Sequence, residues 1–77
     1  MTEPTNDDRA RWAMEAGKVF GGLTGLRHTE SDDLSCIIQD LITDLMHLAR
    51  KRGMDAEQLL EWGVGNYRIE VEEEEDE

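Results

Sequence analysis

Asp40, Asp44 and His47 are spaced i, i+4 and i+7, which sets them on one side of a helix if this segment is helical. Asp44-Leu-Met-His47 is a carboxylate-x-x-His element, the type that carboxylate-bridged di-metal bundles use to hold their ions. Such sites need the element twice, with further carboxylates from neighbouring helices. Here it occurs once, and His28 has no acid three positions before it. Glu57 and Glu61 add oxygens only from a helix that faces the same side. A solvated polar face with an Asp–His pair one turn apart accounts for the same residues, so Asp40, Asp44 and His47 are weak metal candidates. A metal shared between two copies, each giving one element, is the form in which the metal reading survives. No cofactor is expected.

Other chemistries have less support. Ser31, Ser35 and Cys36 lack a marked base or oxyanion context, and a chain of 77 residues offers little room for an enclosed pocket. Gly21-Gly22-Leu23-Thr24-Gly25 resembles a phosphate loop only in glycine content: it follows a helical pattern and no Lys-Ser/Thr comes after it. The chain is read as non-enzymatic, with no catalytic residues. Cys36, the single cysteine, borders an apolar run and is expected as a buried reduced thiol. A lone cysteine rules out a disulfide within one copy and suits a reducing cytoplasm.

The element that carries Asp40 to His47 is the best defined in the chain. Leu34, Ile37, Ile38, Leu41, Ile42, Leu45, Leu48 and Ala49 recur at three- and four-residue steps, while Asp33, Asp40, Thr43, Asp44, His47 and Lys51 take the other side. This predicts a helix over about 32–52, stopped by Gly53, with Thr29 or Ser31 as its cap and Arg50, Lys51 and Arg52 complementing the dipole at its end. A first helix over about 7–20 is predicted by Thr5 or Asn6 as cap, Asp7 and Asp8 in the opening turn, and Gly21-Gly22 as the stop. Residues 1–6 are expected to be disordered, and Leu23 and Leu26 to pin the following loop to the core.

Asp55 and Gln58 fit a capping box, and Met54 and Leu59 a hydrophobic staple, so a third helix starts at about 56. With Arg-Gly-Met-Asp as connector, helices two and three are expected to form a tight antiparallel hairpin. Ala56, Leu60, Gly63, Tyr67 and Val71 fit one stripe, with Gly63 placed to let two helices approach, and the helix is expected to end near Arg68. The alternation of Tyr67, Ile69 and Val71 is also a strand signal, but a single strand has no partner here. The expected fold is all-α: one domain over 7–69, a small three-helix unit built on the hairpin, with a disordered acidic tail over 70–77.

The formal net charge is −11, with nineteen acids against eight bases. Seven of those acids lie in 70–77, leaving twelve acids against eight bases, or −4, in residues 1–69. Direct nucleic-acid or anionic-membrane binding is disfavoured, because phosphate contacts need a basic patch. The cluster Arg50-Lys51-Arg52 is explained by its helix terminus. No apolar run approaches the roughly 20 residues that span a bilayer, and Met1 to Asp8 is polar, without a signal-peptide apolar region, so a soluble cytoplasmic protein is expected. Trp12 and Trp62 are expected as core anchors, with Trp62, one position off its stripe, also placed to meet a partner or second subunit.

The run Asp40-Leu-Ile-Thr-Asp-Leu-Met-His-Leu-Ala-Arg, followed by Gly53, Asp55 and a Leu-rich helix to Tyr67, resembles short acidic hypothetical proteins of bacterial plasmids, phages and other mobile elements. The resemblance covers about residues 34–70. The chain departs from the pattern in Gly63, Gly65 and the long acidic tail. It implies a mobile-element origin; the family has no assigned activity and so no functional residues to carry over.

Three functions are compatible with these residues. The first is an acidic interaction module that docks on a basic protein surface, as an inhibitor would, through Asp33, Asp40, Asp44, Trp62, Glu72, Glu73, Glu74 and Glu75; DNA mimicry, its strongest form, is not favoured by a body of only −4. The second is a self-assembling structural or accessory subunit, in which the stripe of helix two is wider than its neighbours can cover and a homo-oligomer finishes the core. The third is a helical metal-binding protein built on Asp44 and His47.

Overall fold

Three α-helices follow one another along the chain: α1 over Asn6–Thr24, α2 over Ser31–Lys51 and α3 over Ala56–Glu75. The computed structural model describes residues 3–25 and 31–75. The fold is all-α, with no strand among the described residues.

Local chemistry sets the ends. The Thr5 hydroxyl accepts from the Asp8 backbone N–H at 3.1 Å, and the Thr5 N–H donates to Asp8 Oδ2 at 3.0 Å, a reciprocal box that satisfies two amides an α-helix leaves unpaired. Gly25 closes α1 in the left-handed conformation, φ 81°. At the end of α2, Gly53 takes φ 77°, its N–H donates to Arg50 O at 3.1 Å, and the Met54 N–H reaches back to Ala49 O at 2.9 Å. These paired 5→2 and 6→1 bonds are a Schellman stop, which requires a residue at ease with positive φ. Arg50 and Lys51 lie in the last turn, where cations oppose the helix dipole. Two residues after Gly53, the Asp55 carboxylate accepts from the Gln58 N–H at 3.1 Å and opens α3.

Packing is centred on α2. Ile37 is the largest fully buried side chain, at 1 % exposure. It sits against α1 where Gly17 and Gly21, one turn apart, are buried, and a β-carbon on Gly17 would stand 3.7 Å from Ile37 Cγ2. That distance is ordinary van der Waals contact, so the space beside Ile37 admits a β-carbon at position 17. α1 also reaches α3: Arg9 Nε pairs with Glu70 Oε2 at 3.0 Å, and Asn6 Nδ2 donates to Glu70 O at 3.0 Å and to the Glu74 carboxylate. The buried hydrophobic residues among those described are Ile37 and Ala49 alone. The chain is correspondingly open, with a radius of gyration of 14.2 Å against about 11.5 Å expected for a compact domain of this length.

Several expectations need correction. Gly21 and Gly22 do not stop α1, which runs on to Thr24; the contact of Gly17 with Ile37 and the burial of Gly21 offset the propensity cost of about 1 kcal/mol per glycine. α3 does not end near Arg68 but continues through Gly63, Gly65 and the acidic run to Glu75, because Asn6 and Arg9 hold Glu70 and Glu74 from more than sixty positions away. Among the described residues nothing lies within 4 Å of a β-carbon on Gly63, so that glycine serves no close approach between them. Leu23 does not pin a loop; it is among the most exposed apolar residues, at 81 %. Leu26, His28 and Thr29, and residues 76 and 77, lie outside the described residues.

Candidate protein-interaction surface

α2 carries more apolar surface than its neighbours cover. At 100° per residue its apolar positions span about 180° of the helix, wider than the roughly 100° stripe of an ordinary surface helix. Ile37 turns towards α1 and Ala49 is buried near the α3 connection, but Ile38, Ile42, Leu45 and Leu48 are each about half exposed. The stretch from Ile42 to Ala49 faces Met54, Ala56, Leu59 and Leu60, and together they enclose an open apolar groove of about 660 Å³ between the end of α2 and the start of α3. Arg52 is the single charged residue lining it. Met54 and Leu59, expected as a staple, share this groove while both stay exposed.

A second, more polar cleft of about 410 Å³ lies between α1 and α3, with Asn6, Arg9, Tyr67, Glu70 and Glu74 in its walls. Beyond it, Glu72, Glu73 and Glu74 are exposed in the last turns of α3, where no basic residue is present. Negative side chains at a helix C-terminus add to the negative end of the dipole rather than oppose it. Their like-charge repulsion is offset within the chain by the contacts from Arg9 and Asn6.

The sequence-predicted site residues are spread over these surfaces. Asp40, Asp44 and His47 are exposed on α2 and none of them lines the groove, with Asp44 one turn before the lining residue Leu48. No group of three His, Cys, Asp or Glu side chains is gathered in metal-binding range among the described residues. Trp62 is exposed at 61 % and Trp12 at 54 %, so the expectation that they anchor a core is corrected; α1 and α3 meet their neighbours by other faces. Cys36 is exposed rather than buried. It falls on the polar side of α2, about 100° from Ile37 by helical periodicity. The side chains of Asp33 and Glu75 lie outside the described part.

The partner-binding candidates drawn from the sequence were acids and one tryptophan, and they left out the groove. Ile42, Leu45 and Leu48 belong to the α2 stripe, whose surplus the sequence reading met with a homo-oligomer rather than with a groove. The signal that separates them is the width of the stripe, which exceeds what one neighbouring helix can cover. No helix among the described residues is long and apolar enough to cross a membrane. No family model, curated protein or solved structure matches the chain.

Proposed function

We propose that this chain is a non-enzymatic protein-interaction module whose working surface is the apolar face formed by α2 and α3, held as an antiparallel hairpin. One observation carries the reading: side chains from both helices line a continuous open groove, yet Ile42, Leu45, Leu48 and Met54 remain about half exposed. Contiguous apolar surface of this kind marks interaction sites, whereas scattered exposed leucines do not. The Schellman stop at Gly53 and the cap at Asp55 fix the angle between the groove walls, so the surface is preformed.

A second reading is favoured by the end of α3, where Glu72, Glu73 and Glu74 face solvent with no basic residue in the last turn. A basic protein surface placed there would relieve both the side-chain repulsion and the unopposed dipole. The two readings are compatible, because the acids and the groove occupy different ends of α3. A mobile-element origin rests on the sequence resemblance and adds no residue to either surface.

The experiment is affinity capture with the full chain and with Leu45→Asp, each at low and high salt. Capture through the groove persists in salt and is lost in Leu45→Asp. Capture through the acids is released by salt and survives the substitution. Failure of both baits to retain any protein, their own chain included, would contradict the interaction-module reading.

A further inference from the structure

We infer that the acidic end of α3 is a conditional helix: with its glutamates ionised, residues 70–75 stay helical only while the first turn of α1 clips them, and they open to a charged flexible tail when that clip is lost. The device does not depend on any partner. Asn6 and Arg9, three positions apart on α1, meet Glu70 and Glu74, four apart on α3, across the polar cleft. Asn6 Nδ2 donates to Glu70 O at 3.0 Å and to the Glu74 carboxylate, and Arg9 Nε lies 3.0 Å from Glu70 Oε2. These contacts bracket one full turn of α3. The clip is held by bonds of its own: Arg9 Nη1 donates to Asn6 Oδ1 at 2.7 Å, and the Thr5–Asp8 box fixes the turn that carries both.

Local chemistry opposes a helix in this segment. Glu70 and Glu74 are four positions apart, and Glu72 and Glu75 three apart, so like charges are neighbours on the helix surface. All of them lie towards the negative end of the dipole, with no base in the last turn. Arg68, the only base of α3, forms no ion pair among the described residues. Gly63 and Gly65 weaken the turns that lead into the segment. Little packing compensates: Glu70 and Val71 are half-buried, while Glu72, Glu73 and Glu74 are exposed. Local preference therefore favours the open tail, and the bonds from Asn6 and Arg9 favour the helix. A segment with two such states is an order–disorder switch.

Ionisation sets which state wins. The charged groups around the segment are Arg9 from α1, with Asp7 and Asp8 in the same turn, and Arg68 within α3; no α2 residue lines the cleft. With the glutamates ionised, repulsion and the dipole act against the helix, so the clip is required. With them protonated, both opposing forces vanish and the helix no longer needs Arg9. Dependence on α1 is thus a property of the charged state. A helix end that merely packed on α1 would need that packing at any pH.

The test is NMR of the full chain, reading Cα secondary shifts at residues 70–74 with residues 37–49 of α2 and 56–62 of α3 as internal references. In Asn6→Ala/Arg9→Ala at neutral pH the helical shifts at 70–74 should fall about twofold or more while both references hold. Acidifying that variant until its glutamates are protonated should return them. The charge exchange Arg9→Glu/Glu70→Arg, which rebuilds the ion pair, should keep 70–74 helical at neutral pH. Asn6→Ala alone, which leaves Arg9 and the net charge in place, should lower the shifts part of the way. Shifts at 70–74 that stay fully helical in the folded double variant at neutral pH would overturn the inference. So would a loss that acid fails to reverse while the references hold, since the helix would then depend on packing rather than charge. An unchanged Asn6→Ala would overturn it even if the double variant fails to fold.

Discussion

Arg9 Nε lies 3.0 Å from Glu70 Oε2, joining the first turn of α1 to the last third of α3 across most of the chain's length. Arg9 also donates to Asn6 Oδ1 at 2.7 Å, which orients Asn6 towards the Glu70 carbonyl. Both partners of the ion pair are about a third exposed, so solvent screens it. A double-mutant cycle of Arg9→Ala and Glu70→Ala should give a coupling of about 0.2–1 kcal/mol, shrinking in high salt. Zero coupling at low salt would mean that this pair does not hold α1 against α3.

Gly17 and Ile37 set how closely α1 and α2 pack. The 3.7 Å available to a β-carbon is ordinary van der Waals contact. Gly17→Ala should therefore raise stability by up to about 1 kcal/mol through helix propensity. Gly17→Leu should lower it, because the larger side chain forces the helices apart. Thermal unfolding followed by circular dichroism reads both, and equal effects of the two substitutions would contradict the close contact.

Gly53 and Gly63 should respond in opposite directions. Gly53 has φ 77°, so Gly53→Ala strains the α2 stop and should cost about 1–2 kcal/mol. Gly63 sits within a helix with open space around it, so Gly63→Ala should stabilise by about 1 kcal/mol. Chemical denaturation of the two variants measures the difference, and a stabilising Gly53→Ala would refute the left-handed stop.

Asp8 should titrate below the ordinary aspartate value. The main cause is the Thr5 backbone N–H bound to its carboxylate, with the Thr5 hydroxyl and Arg11 adding to it. Because the folded value lies below the unfolded one, the cap contributes above the unfolded value and is lost as pH falls through the folded value. Carboxyl shifts in an NMR titration read this directly, and Thr5→Ala should return Asp8 part of the way. An ordinary titration of Asp8 in the intact chain would contradict the capping box.

The legible parts of the fold were those fixed within a few residues. The stripe from Leu34 to Ala49, the stop at Gly53 and the cap at Asp55 are local signals, and the structure carries each of them. The passage of α1 through Gly21 and of α3 through Glu70–Glu75 was hidden, because both depend on partners distant in sequence: α2 in one case, Asn6 and Arg9 in the other. The exposure of Cys36 was legible from helical period alone, since its position falls on the side of Asp40 and His47. The groove was half legible. The width of the α2 stripe indicated a surplus, but which of its residues stayed uncovered depended on how little of it α1 and α3 contact.

Affinity capture with the full chain and with Leu45→Asp, at low and high salt, tests the central claim most directly. An interaction surface in the α2–α3 groove predicts a retained protein that persists in high salt and is lost in Leu45→Asp. Failure of the full chain to retain any protein, its own chain included, would contradict it.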